Sequence, residues 1–506
     1  MNYKIDVLKK TKDFIDETGS TWYKPLKKEY GLFKKGVMRG VLVEDNGYFT
    51  LPLIKKQEEE IAKYVVARLH YDEDNRQKYD TKYLDLYISL YEKQEGICLD
   101  EWQRDAVHIA LNNNLFVLTG GPGTGKTCVL KCIDFCLRKI LKTDDILFTA
   151  PTGKAARRIT ESVGREANTV AKVLGLKDEK SAPNKLKNVC VVVDEISMLD
   201  TYTAHALFTS TDLKTKLILV GDVEQLPSVG YGSILRDLID SGLPCTKLEK
   251  TFRQASESGL FANIEQIKAG LHLGFVKKDD FKVFSADNSV SAMEIMVKEY
   301  VKAVSCYGAD QVVCLTPYRR VGDTCAIKLN FILQNILNPK KDGSNFVTYT
   351  VTEENGFKYD IRLQEGDPVM QLVNATRVAN GDVGRVLSID IQKKIVYVEF
   401  IDCVVPYTKD MLGQLTLAYA MSVHKSQGSE YDCVITSAIK DDMEMLSRNT
   451  IYTAITRAKK ECIVITTGDD IAKEACKKET GYERFTRLKS LIIHQEKKFR
   501  LVTSIQ

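Results

Sequence analysis

The sequence predicts an α/β protein in which short buried strands alternate with helices. Apolar runs of four or five residues, bounded by polar turns, are separated by helical periods through most of the chain. Such runs are typical of parallel strands covered on both faces. A glycine-rich loop between one run and a helix indicates the same architecture. The runs lie at residues 115–118, 189–193, 217–220 and 312–315.

Length and composition exclude several classes of protein. At about 150 residues per domain, a chain of 506 residues has room for three to four domains. Its 44% hydrophobic and 28% charged residues are close to the average of globular proteins, which excludes a disordered chain, a collagen and a small disulfide scaffold. The net charge is only +4, so an anionic partner would have to meet local basic grooves.

The cysteines and the N-terminal residues predict a cytoplasmic protein with reduced thiols. The 13 cysteines form no CxxC pair or Cys/His cluster. Cys128, Cys132 and Cys136 recur every fourth residue, which allows a metal site but favours packing of one helix face in a core. The first residues lack the apolar segment of a secretory signal, and no apolar run approaches the ~20 residues needed to cross a bilayer, so no membrane contact is expected.

Two segments differ from the alternating pattern. Residues 1–95 are rich in Lys, Glu and Tyr and contain one clear amphipathic helix, predicted at 57–69, with Ile61 and Val65 on its apolar face. A second α/β block begins near residue 312 and is expected to resume at 415–419. Between them, residues 345–410 hold short alternating runs with Gly and Asn-Gly turns, which predict an inserted β-barrel.

A phosphate-binding loop is predicted directly after the run at 115–118. The pattern G-x-x-x-x-G-K-[ST] follows a strand and opens a helix, so that backbone N–H groups and the helix N-terminus can surround phosphate oxygens. A glycine turn without a ligand is the alternative, which the strand and the helix disfavour. The predicted ATP-binding residues are Gly120, Gly121, Pro122, Gly123, Thr124, Gly125, Lys126 and Thr127. Lys126 would reach the β- and γ-phosphates, and the Thr127 hydroxyl would bind Mg²⁺.

Carboxylates and arginines complete the predicted hydrolytic site. Asp194 and Glu195 follow an apolar strand, at the edge where parallel sheets bind ligands. Asp194 would hold Mg²⁺ and Glu195 would polarise the attacking water; a solvated strand end is the alternative. Arg253 and Arg457 are candidates for stabilising the transferred charge, although by chemistry alone either could be an ordinary surface arginine.

The order of these motifs resembles that of superfamily 1 DNA helicases of the RecD type. The resemblance runs from about residue 99 to residue 460. The matching segments are 118–127 (the P-loop), 150–158 (motif Ia), 193–198 (motif II), 221–230 (motif III), 252–254 (motif IV), 420–430 (motif V) and 452–459 (motif VI).

The resemblance implies two RecA-like P-loop motor domains with parallel sheets and one ATP in the cleft between them. It also implies an SH3-like β-barrel and an N-terminal accessory region. The implied boundaries are 1–95 for the accessory domain, 96–270 for motor domain 1A with a short 1B insertion at about 177–188, 271–344 and 411–480 for motor domain 2A, 345–410 for the 2B barrel and 481–506 for a C-terminal tail.

The resemblance also implies roles for residues outside the P-loop. Gln103 would contact the adenine, Gln225 would couple the γ-phosphate to the DNA track, and both arginines would reach the phosphate from the second domain. Gly428 and Glu430 would lie at the nucleotide cleft. The implied contacts to single-stranded DNA are Thr152, Lys154, His424, Lys425 and Ser426.

Three departures from the family pattern concern DNA contact and unwinding. Ala171 follows Thr169-Val170 where many relatives carry histidine, and Pro368 stands where relatives commonly carry arginine. The segment 177–188, where relatives place a strand-separating hairpin, is short and polar. Translocation is therefore expected more firmly than duplex unwinding.

The predicted function is an ATP-dependent DNA helicase or translocase that moves 5′ to 3′ on single-stranded DNA and hydrolyses ATP with Mg²⁺. The expected partners are single-stranded and tailed duplex DNA, with the chain acting as a monomer or beside a nuclease or repair partner. Two alternatives stay open: a superfamily 1 RNA helicase, and a motor subunit docked in a recombination nuclease.

Overall fold

A computed structural model describes most of the chain, and it divides into two compact units. The described residues are 2–75, 78–176, 182–250, 258–271, 273–341, 343, 345–352, 356–375, 377–401, 403–478 and 484–503. The first unit comprises Met1–Pro151, Ala155–Arg253 and Thr480–Gln506, and the second comprises Thr152–Lys154 and Gln254–Glu479.

The N-terminal part of the first unit is mostly helical. Its elements are α1 (Asn2–Thr18), α2 (Tyr30–Met38), β1 (Val43–Asp45), β2 (Tyr48–Thr50), α3 (Pro52–Asn75) and α4 (Thr81–Glu95). Val7, Phe33 and Phe49 form a small core of their own. The helix predicted at 57–69 is confirmed as part of the longer α3, whose Ile61 and Val65 pack with the residues under the large sheet.

A six-stranded parallel sheet forms the centre of the first unit. Its elements are α5 (Glu101–Asn112), β3 (Leu115–Gly120), α6 (Lys126–Leu141), β4 (Ile146–Ala150), α7 (Gly153–Val163), β5 (Ala167–Thr169), α8 (Val170–Leu174), β6 (Cys190–Val193), α9 (Thr201–Ser210), β7 (Lys216–Gly221), α10 (Ile234–Asp240) and β8 (Cys245–Leu248). The strand order is β5-β4-β6-β7-β3-β8, with every pair parallel. The three strands predicted here are confirmed as β3, β6 and β7. Their side chains are buried because helices cover both faces.

The cysteines of α6 lie in a core, and little of the described part of the short polar segment is paired with other strands. Cys132 and Cys136 are buried in the core beside the large sheet, so the predicted packing of this helix face is confirmed. Residues 177–181 lie outside the described part. Within 182–188 the chain makes one isolated bridge, from Leu186 to Thr211.

The second unit contains a five-stranded parallel sheet. Its elements begin with α11 (Gly259–Lys268), β9 (Phe281–Ser285), α12 (Ser289–Tyr307), β10 (Val312–Thr316) and α13 (Ala326–Leu337). They resume with β18 (Ala420–Ser422), β19 (Tyr431–Ala438), α14 (Arg448–Ile455), β20 (Ala458–Thr466) and α15 (Asp469–Cys476). The strand order is β18-β10-β19-β20-β9, all parallel.

Antiparallel strands are inserted between β10 and β18. They are β11 (Phe346–Thr352), β12 (Lys358–Gln364), β13 (Pro368–Gln371), β14 (Val383–Asp390), β15 (Ile395–Glu399), β16 (Val404–Tyr407) and β17 (Leu415–Leu417). β11 and β12 form a hairpin, and the other five form a sheet in the order β16-β15-β14-β13-β17. The predicted short strands are confirmed.

One strand assignment from the sequence is wrong. The run at 415–419 is predicted to resume the parallel sheet, but Leu415–Leu417 pairs antiparallel with β13. The parallel sheet resumes only at Ala420, three residues later. Both strands are apolar and buried, so their composition does not distinguish the two sheets.

The C-terminal helix α16 (Leu488–Thr503) returns to the first unit. Leu488 and Ile492 join the core that α3 covers. His70 of α3 stacks on Phe499 with 3.7 Å between ring centroids. None of the helices in the described part of the chain is long and apolar enough to cross a membrane.

Candidate functional site

The P-loop forms a compact turn between β3 and α6. Gly123 and Gly125 have φ of 76° and 86°, a left-handed conformation that other residues rarely adopt. A Cβ atom on Gly120 would lie 2.8 Å from both Thr124 Oγ1 and Leu248 O. Only glycine therefore fits these three positions without displacing the loop.

The side chains of Lys126 and Gln103 both donate hydrogen bonds to carbonyl oxygens of the P-loop. Lys126 Nζ donates to the carbonyl oxygens of Gly120 at 2.6 Å and Gly121 at 2.9 Å. Gln103, which forms a capping box with Asp100 at the start of α5, donates from Nε2 to Thr124 O at 3.2 Å. The amide predicted to contact the adenine is therefore placed beside the P-loop.

The carboxylates of motif II lie at the same sheet edge. β7 alone separates β6 from β3, and the carboxyl ends of parallel strands share one edge. Glu195 has φ of 52°, a left-handed conformation that strains a residue other than glycine by about 1–2 kcal/mol. Its N–H donates to Asp194 Oδ1 at 2.8 Å, which fixes one oxygen of the Asp194 carboxylate against the backbone of the next residue.

Electrostatics at Asp194 favour a cation. Burial raises the pKa of the Asp194 carboxyl to about 6, and the negative charge of Glu195 adds to this rise. The charges of Lys126 and Arg158 oppose it. A divalent cation would favour the ionised carboxylate, and the exposed Thr127 hydroxyl offers a second hard oxygen ligand. These donors suit Mg²⁺.

Gln225 lies in the loop after β7, at this same edge. Its side chain is 7% exposed, and its N–H donates to Asp222 O at 3.2 Å. Arg236 of α10 donates to Val223 O at 3.3 Å. The first unit thus places Gln103 of α5 beside the P-loop, and both carboxylates and Gln225 follow neighbouring strands at the same sheet edge.

The second unit brings Arg457 together with the segment containing Gly428 and Glu430. Arg457 is 3% exposed. Its guanidinium donates to Thr453 O at 3.1 Å and Ser429 O at 3.2 Å. Gly428 has φ of 75°, and Glu430 is half-buried. Arg457 is therefore not the surface arginine that chemistry alone would suggest; Arg253 lies outside the described residues.

The predicted DNA contacts differ in exposure. Thr152 and Lys154 are half-buried at the start of α7, and His424 and Lys425 are half-buried on a single helical turn. Ser426 is fully buried, and its hydroxyl donates to Val423 O at 2.7 Å. The Ser426 hydroxyl is therefore directed at the protein backbone, and its DNA contact stays a prediction.

Lys425 belongs to a basic cluster that the sequence did not single out. Lys425 Nζ donates to Asn380 Oδ1 at 2.8 Å, in the Asn-Gly turn of the inserted strands. Burial lowers the pKa of Lys425, and the charge of Arg319 acts in the same direction. Arg319 follows the end of β10, so a search for cations after strand ends would have found it.

Comparisons with known proteins agree with these motifs. The family model "AAA domain" matches residues 103–231, and "UvrD-like helicase C-terminal domain" matches residues 417–465. The chain is 33% identical to the "ATP-dependent RecD2 DNA helicase" of Deinococcus radiodurans over 71% of its own length and 48% of that protein. It is 29% identical to the "RecBCD enzyme subunit RecD" of Mycobacterium tuberculosis, over 72% of this chain and 68% of that one. A solved Bacteroides Pif1 helicase in complex with ADP-AlF3 and ssDNA aligns over 74% of this chain and 94% of its own, with 19% identity and a TM-score of 0.47.

The parallel sheets, the P-loop and the carboxylates define an α/β protein of the RecA-like P-loop class. Within that class the chain spans only about half of the Deinococcus relative. The two family models and the RecD and RecD2 relatives confirm the resemblance: the chain is similar to RecD-like helicases of superfamily 1.

Proposed function

We propose that this protein is an ATP-dependent DNA helicase or translocase that moves 5′ to 3′ on single-stranded DNA. The observation that supports this most is the convergence of P-loop, Asp194, Glu195 and Gln225 at one edge of the first parallel sheet. Such an edge binds a nucleoside triphosphate and positions water for its hydrolysis.

Each residue of this edge has a proposed role. Lys126 exchanges its bonds to the loop carbonyls for bonds to the β- and γ-phosphates, and Gln103 orients the adenine. Thr127 and Asp194 hold Mg²⁺, which would neutralise charge on the phosphate oxygens. Glu195 accepts hydrogen bonds from the attacking water and orients it, and Gln225 contacts the γ-phosphate.

The second unit has proposed roles in charge stabilisation and DNA contact. Arg457, with its guanidinium already held by backbone carbonyls, would act with Arg253 on the transferred phosphate. Lys425 and Arg319 form a basic cluster whose mutual repulsion a DNA phosphate would relieve. His424, Thr152 and Lys154 would extend this track.

The domain boundaries are part of the proposal. We assign the motor domains to 96–270 and to 271–344 with 418–480, the accessory domain to 1–95 and the tail to 481–506. The inserted strands, which extend to β17 rather than to the expected boundary at 410, would form an SH3-like 2B domain at 345–417. The two motor domains would grip the strand alternately as ATP binds and is hydrolysed.

Labelled duplexes with a 5′ tail, a 3′ tail or no tail test the proposal directly. Each is mixed with protein, ATP and Mg²⁺, and phosphate release is followed in parallel. Unwinding of the 5′-tailed duplex alone is expected. Stimulation of hydrolysis by RNA but not by DNA would replace the proposal with an RNA helicase.

A second candidate is a motor subunit that works inside a larger nuclease. The relative named as a RecBCD subunit supports it. Hydrolysis stimulated by DNA without unwinding, together with co-purification of a nuclease from the native source, would favour this candidate.

A further inference from the structure

Arg484 extends into the loop that follows Gln225, although more than 250 residues separate the two in sequence. Its Nη1 lies 3.0 Å from Gly230 O and 2.9 Å from Gly232 O, and its Nη2 lies 2.7 Å from Ser228 O. Nη1 is also 3.2 Å from Ser228 Oγ. One guanidinium thus gathers three carbonyl oxygens and a hydroxyl from residues 228–232, which we name the motif III loop.

Only arginine suits this position. Its planar fork directs several N–H groups at acceptors in fixed directions, whereas a lysine ammonium is a compact point charge. Burial lowers the pKa of Arg484 to about 10, so the side chain is still charged at neutral pH. The carbonyl dipoles of the loop are then the groups that solvate this charge.

The motif III loop is held from its other side by the start of α9. Thr201 N donates to Tyr231 O at 2.9 Å. A Cβ on Gly230 would come within 2.5 Å of Asp200 Oδ2, and one on Gly232 would overlap Thr201 Oγ1. Since α9 follows Asp194 and Glu195 by a few residues, the loop is clamped between motif II and Arg484.

The clamp is anchored by the N-terminal accessory region. Phe485 stacks on Tyr48, with ring centroids 4.0 Å apart and an interplanar angle of 10°. Glu58, which is buried, accepts from Trp22 Nε1 at 2.8 Å and from Arg487 N at 3.2 Å. Gly232 N donates to Gly19 O at 2.8 Å. The segment 484–487 therefore ties the accessory region to the motif III loop.

We propose that Arg484 is a positioning residue that fixes the motif III loop and, through it, the placement of Gln225 toward the γ-phosphate. This inference rests on the proposed ATPase function. In this arrangement a change in the accessory region or the C-terminal tail would alter the position of the motif III loop and therefore of Gln225. Every contact that supports the inference lies within the first unit.

The test compares Arg484→Lys and Arg484→Ala with the wild type and with Arg500→Ala. Arg500 is a matched control because it lies on α16 with its side chain 73% exposed. We expect kcat for ATP hydrolysis to fall roughly tenfold in both Arg484 variants while KM for ATP changes less than about twofold. Arg500→Ala should match the wild type.

Two further measurements separate positioning from simple folding. Guanidinium ions at millimolar concentration should restore part of the kcat of Arg484→Ala, whereas ethylammonium should not. Hydrogen exchange at the Gly232 and Thr201 amides should become faster in Arg484→Lys. Gly19→Ala gives an independent perturbation, because its Cβ would overlap the guanidinium of Arg484, and it should lower kcat likewise.

The outcomes distinguish this inference from the function on which it rests. Absence of hydrolysis in the wild type would overturn the proposed function. Normal hydrolysis in the wild type together with unchanged kcat in Arg484→Lys would overturn the positioning role alone. A kcat loss that ethylammonium restores as well as guanidinium does would also overturn it.

Discussion

Replacing Asp237 by asparagine should stabilise the first unit at alkaline pH. Asp237 lies on α10 and accepts from Thr486 Oγ1 at 2.9 Å. Burial raises the pKa of the Asp237 carboxyl to about 8, and the charges of Glu58 and Asp240 add to the rise. In the unfolded chain this pKa returns to about 3.9. The folded state therefore keeps a proton that the unfolded state loses, and stability decreases as pH rises from about 4 to about 8.

The size of the effect follows from the width of that window. Each pH unit inside it costs about 1.4 kcal/mol, but the slope halves near the folded-state pKa, so the wild type loses about 2 kcal/mol between pH 6 and pH 8 through this group. At roughly 2 °C per kcal/mol for a unit of this size, the loss in Tm is about 4 °C. Asparagine resembles the protonated carboxyl and removes the pH-dependent loss.

Thermal unfolding of both proteins at pH 6 and pH 8 measures the difference. The Tm of Asp237→Asn should fall less between the two pH values than that of the wild type, by about 4 °C. Asp144→Asn is the control, since this carboxylate lies in the same unit with 81% of its side chain exposed and is not among the charges that act on Asp237. Equal Tm changes in the wild type and Asp237→Asn would refute the assignment of a buried, protonated Asp237.

Three further predictions concern the proposed site. Lys126→Ala should lower ATP hydrolysis at least a hundredfold in a phosphate-release assay, since the β- and γ-phosphates lose their cation; retained turnover would exclude the P-loop as the site. Arg457→Ala should leave the nucleotide Kd within about threefold but lower kcat more than tenfold, and a change confined to DNA affinity would contradict its role. Lys425→Gln should weaken single-stranded DNA binding and reduce the slope of log K against log salt by about 0.7, measured by fluorescence anisotropy; an unchanged slope would remove Lys425 from the DNA track.

Local signals in the sequence are sufficient to predict the P-loop and its strands. The glycines, Lys126 and Thr127 are adjacent in the chain, and the strand and helix around them are confirmed. Gln103 is placed by resemblance, and its bond to Thr124 agrees with that placement. Such features depend on neighbouring residues, which a sequence displays directly.

Features that depend on distant residues could not be predicted. Leu415–Leu417 has the apolar composition of either sheet, and only its pairing with β13 decides which one it joins. Ser426 and Lys425 are adjacent in the motif, yet Ser426 is fully buried and Lys425 is half-buried. Arg484 shows no pattern at all, because its partners are backbone carbonyls at 228–232.

The return of α16 to the first unit has a consequence for folding during synthesis. Residues 484–503 leave the ribosome after the whole second unit, yet Leu488 and Ile492 complete a core that contains β3, β6 and β7 residues. Elongation at about 5–20 residues per second leaves that core without its last helix while the whole second unit is made. The unit with the P-loop is thus begun before the second unit and completed after it, so its apolar core surface stays exposed while the second unit is made.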